Sequence, residues 1–215
     1  MARSREVALV AGPRVHRRGA GAPARRVGGR AARQAVMART VDLAMHCVPA
    51  PRRILDVGCG TGDLLSQLAA VAPTAVALVG VDAAPDAIAS ARASGHDDRL
   101  RFDVGAADSL RYADGTFDLV VSTASLDRWR EPHAILAQCA RVLAPGGMLV
   151  LTGRFSALKA PAALARRGAA CTRHRAQLLL VRHGFHSVQW HAVHGGVRAV
   201  SATGSGDWPV VHRTA

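Results

Sequence analysis

Carboxylates set beside closely spaced glycines are the first residues in this sequence whose types and spacing suggest chemistry. Asp56 closes the apolar run that begins at Ile54, and Gly58, Gly60 and Gly62 follow at once in the stretch DVGCGTGD. Glycine loses more conformational freedom on folding than any other residue, so its repetition implies a sharp turn and a ligand brought close to backbone amides. The helix expected from Asp63 turns its N-terminus to the same place, which suits a nucleotide-like molecule. Spacing narrows the choice. A dinucleotide fingerprint, G-x-G-x-x-G, would carry its third glycine at position 63, where Asp63 stands. Asp56 and Asp63 would repel a pyrophosphate and favour a ligand that bears positive charge.

The elements that position these residues alternate along the chain. Gln34 to Val48 spaces Val36, Val41, Leu43, Ala44 and Val48 along one helical face. RRILDVG reads as a strand, DLLSQLAAVAP as a helix closed by Pro73, AVALVGVD as a second strand, and APDAIASARASG as a helix ending near Gly95. RLRFDVG and FDLVVST are the next strands. EPHAILAQCARVLAPGG is a helix that starts at a proline and stops at Pro-Gly-Gly, and MLVLTG is a fifth strand. Such alternation predicts an α/β protein with a mostly parallel sheet covered on both faces, whose ligands bind outside the carboxyl ends of the strands. Asp56, the glycines and Asp82 at the end of LVGVD all fall on that edge. Beyond Thr152, Ser156 to Phe185 reads as one or two helices. Ser187 to Val193 and Val197 to Gly204 read as a hairpin that completes seven strands.

Composition bounds the class of protein. The 215 residues are 49% hydrophobic, enough for one buried core, and no run reaches the ~18 apolar residues of a membrane span. Cys47, Cys59, Cys139 and Cys171 lie far apart without a C-x-x-C pair, so neither a zinc site nor a disulfide framework is expected, and a cytoplasmic location fits. Of the net charge of +13, most sits in residues 1–53, where 12 Arg face only Glu6 and Asp42. Residues 1–36 therefore read as an Arg-rich extension that cannot bury a core, residues 37–205 as the folded domain and 206–215 as a tail. The extension has three readings: an arm that binds nucleic acid or another polyanion, an organelle-targeting segment, or a solvated extension without function.

The segments Asp56-Val-Gly58-Cys-Gly60-Thr-Gly62, VGVDAAPDAIASAR, ADGTFDLVVS and ARVLAPGGMLVLT follow in one order between Ile54 and Thr152. In that order they resemble the class I S-adenosylmethionine-dependent methyltransferases of the small-molecule type. The resemblance implies a Rossmann-like, doubly wound, seven-stranded, mostly parallel sheet with an antiparallel strand in its C-terminal hairpin. It also implies S-adenosyl-L-methionine as cofactor, bound by Asp56, Gly58, Cys59, Gly60, Thr61, Gly62, Asp82, Ala83, Ala107, Asp108 and Ser122. This cofactor has an ammonium, a sulfonium and a carboxylate but no phosphate, in agreement with the acidic surroundings of the glycines. Asp56 is expected to face its methionine end, Asp82 to accept both ribose hydroxyls, and Ala83 to leave room beside the adenine. The helix from Gln34 to Val48 is placed to cover the site.

The chain departs from the family in places that bear on catalysis. Where an Asp usually meets the adenine amino group the sequence has Ala106, and the next carboxylate is Asp108. After the fourth strand, in STASLDRW, Asp127 stands where His is frequent, and Gln138 stands where Glu is frequent. Methyl transfer from a sulfonium needs chiefly an acceptor held in line with the reactive carbon. Asp127 is the candidate base or acceptor anchor and Trp129 the candidate acceptor wall; an exposed loop carboxylate and a core aromatic are the alternatives. No Asn-Pro-Pro-Tyr sequence follows that strand, which argues against methylation of adenine or glutamine amino groups. His183, His186, His191 and His194 cluster in sequence without a local Cys or carboxylate, and no metal site is expected. The expected activity is methylation of a small molecule at oxygen, nitrogen or carbon. The alternatives are an RNA or protein methyltransferase that uses the basic arm, and a non-catalytic protein that retains the fold.

Overall fold

The computed structural model describes residues 30–48, 50–94, 97–123, 129, 131–153, 155, 172–193 and 197–205. The arm before Arg30, together with Asp127, His194 and residues 156–171, lies outside them. Helix α1 (Arg30–Cys47) includes residues ahead of the helix expected from Gln34, because Ala31, Ala32 and Arg33 are all good helix formers. The chain continues as β1 (Arg53–Val57), α2 (Asp63–Val71), β2 (Ala77–Asp82), α3 (Pro85–Ser94), β3 (Leu100–Val104) and β4 (Phe117–Thr123). It closes with α4 (Pro132–Val142), β5 (Leu143–Gly153), α5 (Arg173–Arg182), β6 (Phe185–Ala192) and β7 (Arg198–Gly204).

The seven strands form one sheet in the order β3-β2-β1-β4-β5-β7-β6. β1 to β5 run parallel, and β7 is antiparallel to both of its neighbours, as the sequence led us to expect. The order reverses between β1 and β4, so the connections that leave these two strands diverge and open a crevice at their carboxyl ends. Strand alternation sorts the core into two layers. Ile54 of β1 faces Val41, Ala44, Leu64, Leu68 and Ile88 of α1 to α3, whereas Leu55 and Val57 face Leu136, Cys139, Leu179 and Leu180 of α4 and α5. Asp56 follows Ile54 by two residues and therefore shares the α1 to α3 face.

One expected boundary is corrected. The helix that begins at Pro132 ends at Val142 rather than at Pro-Gly-Gly, and Leu143 to Gly147 already belongs to β5. Pro145 drives the residue before it out of the helical region, and Leu143 pairs with Phe117 before a bulge restores the register at Leu119 and Met148.

Polar groups buried between α1 and the distal strands are paired. The hydroxyls of Thr40 and Thr152 meet at 2.9 Å, and that of Thr40 also lies 2.8 Å from the Val36 carbonyl. His191 Nε2 lies 2.8 Å from Ser201 Oγ, which is also hydrogen-bonded to the Cys47 thiol.

Candidate functional site

The glycine loop is built by hydrogen bonds to the end of β2. The amides of Gly58 and Cys59 both donate to the Val81 carbonyl, at 2.8 and 3.1 Å, which folds the chain back over the neighbouring strand. Gly60 N donates to Asp82 Oδ2 and Ala84 N to Asp82 Oδ1, each at 2.9 Å. Asp82 thus fixes the loop with one oxygen and its own strand exit with the other. Each oxygen keeps a second acceptor position for a ligand hydroxyl. The carbonyl of Asp82 accepts from Gly105 N at 3.0 Å, so β3 leaves the sheet at the same point.

The three glycines have different work. All three adopt positive φ, 77° at Gly58, 55° at Gly60 and 81° at Gly62, where a side chain is strained. A Cβ at Gly60 would meet no atom within 4 Å, so this residue borders open space. One at Gly62 would lie 2.7 Å from the Phe102 ring and 3.3 Å from Ala91. Gly62 therefore serves packing and the start of α2. Cys59 is buried beneath the loop; burial, then the charges of Asp56 and Asp82, push its thiol up, which keeps it protonated and inert. Thr61 and Ala83 are exposed at the loop and at the β2 exit.

Asp56 stands apart from the other carboxylates. It is 1% exposed, and neither of its oxygens has a hydrogen-bond partner within the described protein. Burial first, and the Asp82 charge second, push its carboxyl up to about 8. A buried carboxyl without a partner costs stability, and native proteins keep such groups where a ligand or another function requires them. Among the described residues Asp56 therefore serves neither as a helix cap nor as a staple of the loop. Asp63, exposed at the start of α2, faces Arg33 of α1 at 3.9 Å, so α1 lies beside the helix that opens at the loop.

The loop after β3 carries Ala106, exposed, Ala107, packed against the core, and Asp108, exposed. Sequence reading missed how this connection is braced. Arg141 of α4 donates to the carbonyls of Leu110 and Tyr112, to Asp114 and to Gln138, while Gln138 Oε1 accepts from Leu110 N at 3.2 Å. Gln138 is thus a brace for the loop. A pair three apart on one helix was the only available signal.

At the exit of β4, Ser122 is 1% exposed and its hydroxyl donates to the Val57 carbonyl, which ties β4 to β1 at the crevice. Trp129 is half-buried and packs against the α4 and α5 layer, in keeping with the core-aromatic alternative. The described histidines of that cluster do not converge: His183 pairs with His133 at 2.9 Å, His186 with Ser187 and His191 with Ser201. Among the described residues no three His, Cys, Asp or Glu side chains form a metal-binding group, and no helix is long and apolar enough to cross a membrane. A cavity of about 370 Å³ beside Arg92, Arg101 and Asp103 lies on β3, and none of the expected site residues lines it.

Residues 55–151 match the family described as methyltransferase domain. The demethylmenaquinone methyltransferase of Thermus thermophilus is 42% identical over 115 residues, which cover 53% of this chain and 51% of that protein. The norajmaline N-methyltransferase of Rauvolfia serpentina is 30% identical over 129 residues, covering 55% and 44%. The chain thus spans about half the length of these curated relatives. Among solved structures, the [4+2]-cyclase SpnF superposes with a TM-score of 0.64 at 29% identity, over 72% of this chain and 60% of that one.

Proposed function

We propose, for a chain that belongs through residues 55–151 to the class I S-adenosylmethionine-dependent methyltransferases, that it binds S-adenosylmethionine and methylates a small organic molecule. The observation that carries this reading is the buried, partnerless Asp56 beside a glycine loop that Asp82 fixes from the next strand. The residues fit the cofactor in charge and in shape. Asp56 offers both oxygens to an ammonium group, Asp82 retains acceptor positions for ribose hydroxyls, and Gly58 and Gly60 leave the loop without side chains. When bound, the sulfonium supplies an electrophilic methyl carbon. The protein's part is to orient the two reactants and keep water out, and no basic residue is obligatory for acceptors that lose their proton readily. Both methyltransferase relatives bear the names of small organic acceptors, which supports the substrate class.

Calorimetric titration with S-adenosylmethionine, followed by assay of S-adenosylhomocysteine formation with quinols, phenols and amines, tests the proposal. We expect micromolar binding and turnover with at least one acceptor class; absence of binding removes it. A second reading, a protein that uses the fold without methyl transfer, is favoured by the exposed Ala106 at the adenine-contact position and by the likeness to a cyclase. Turnover with any acceptor rejects that second reading.

A further inference from the structure

The carboxyl of Asp56 is the one buried ionisable oxygen pair without a partner among the described residues, and the groups around it explain what state it adopts. From β2 comes Asp82, a like charge whose two oxygens accept from the amides of Gly60 and Ala84 and offer Asp56 no proton. From the loop comes Cys59, a thiol held protonated. From β4, opposite Asp56 in the sheet, comes Val121, a fully buried apolar residue with no polar group to offer. Arg33 of α1 faces Asp63 of α2 at the surface and Arg39 of α1 pairs with Asp42, so both arginines are directed to other carboxylates. Among the described residues no cation reaches Asp56, and no amide donates to it.

We propose that Asp56 is a neutral carboxylic acid in the ligand-free protein and releases its proton to solvent when the ammonium group of the cofactor docks, so that ligand uptake and proton release are one event. The inference rests on the cofactor reading above and deepens it. Proton bookkeeping is simple: the O–H bond of the acid breaks, solvent or buffer takes the proton, and the carboxylate left behind pairs with the ligand's positive charge. The raised pKa of Asp56, set by burial and then by the Asp82 charge, agrees with this geometry. The coupling makes affinity depend on pH. Below the titration of Asp56, each unit of pH should strengthen binding about tenfold until the acid is ionised in the free protein.

The test is calorimetry of the full chain with S-adenosylhomocysteine at about pH 6.5, where an α-amino group is still protonated, in phosphate and in Tris, whose ionisation enthalpies differ widely. The dependence of the observed heat on buffer gives the protons released. We expect close to one per ligand bound, decreasing to zero well above pH 8, and none with Asp56→Asn. Binding of the wild-type chain without proton release overturns the inference and leaves the cofactor reading intact. Release that persists in Asp56→Asn also overturns it, since another group would then be the source. No binding by the wild-type chain removes both.

Discussion

Two regions of this molecule bury polar side chains, and they treat them in opposite ways. Between α1 and the β5 to β7 half of the sheet, Thr40, Thr152 and Ser201 are each almost wholly buried, and each meets a hydroxyl, an imidazole or a carbonyl. At the carboxyl end of β1, Asp56 is buried as deeply and meets nothing. The sequence has small polar residues to spare, and it used them where strands and helix merely pack. Leaving a carboxyl bare at the crevice is therefore a property of that place, and it is what the proposed binding of a cationic ligand there rests on.

The contrast can be broken most severely at Asp82. Asp82→Ala removes two loop staples and a charged acceptor, and with charge-assisted bonds worth about 1.5–3 kcal/mol each, affinity for S-adenosylhomocysteine should fall at least about a hundredfold. Unchanged affinity by calorimetry would show that the β2 end takes no part in binding. Gly62→Ala comes next. Forcing a Cβ against Phe102 should cost about 2–3 kcal/mol and lower Tm by about 5–10 °C, whereas Gly60→Ala should cost only about 1 kcal/mol and act mainly on affinity. Equal losses of Tm would erase the division of labour between the two glycines.

Asp56→Asn sharpens the comparison through pH. The folded protein keeps the Asp56 proton up to about 8, while an unfolded chain gives it up from the ordinary carboxylate value of 3.8. Stability from this group is thus complete in acid and is lost as pH rises through that window. Thermal melts of Asp56→Asn should match wild type near about pH 4 and exceed it by a margin that grows steadily up to about pH 8. A constant difference would mean that Asp56 is ionised in the folded state. The smallest effect is expected in the paired region: Thr40→Val and Thr152→Val should each cost about 1 kcal/mol, and the double variant no more than either alone. Additive losses in denaturant titrations would mean that the two hydroxyls do not depend on each other.

How much of this could be read beforehand depends on how far apart the partners lie. Parallel strands buried on both faces are plain apolar runs, so β1 to β5 and the alternation with helices were visible in residues such as Ile54 to Val57 and Phe117 to Thr123. Asp56 and Asp82 were legible as carboxylates at strand ends. Their difference was not, because the staples at Gly60 and Ala84 form only once β1 and β2 lie side by side. The start of β5 was misplaced for a similar reason: Pro-Gly-Gly ends a helix locally, and pairing with Phe117 on another strand makes the same residues extended. Gly62 resembled its neighbours in sequence, and only Phe102, brought across from β3, separates it from them.

That ring has a bearing on how the protein is made. Phe102 sits 40 positions beyond the glycine it presses upon, and Asp82 sits 22 beyond the amide it holds. A growing chain that has emerged only as far as α2 has the whole glycine signature and none of the groups that shape it. The binding loop therefore takes form in steps set by synthesis, first when β2 arrives and again when β3 does, and long-range parallel pairing of this kind is slow. The shape of the glycine loop is thus complete only after the β1 to β3 half of the sheet has assembled.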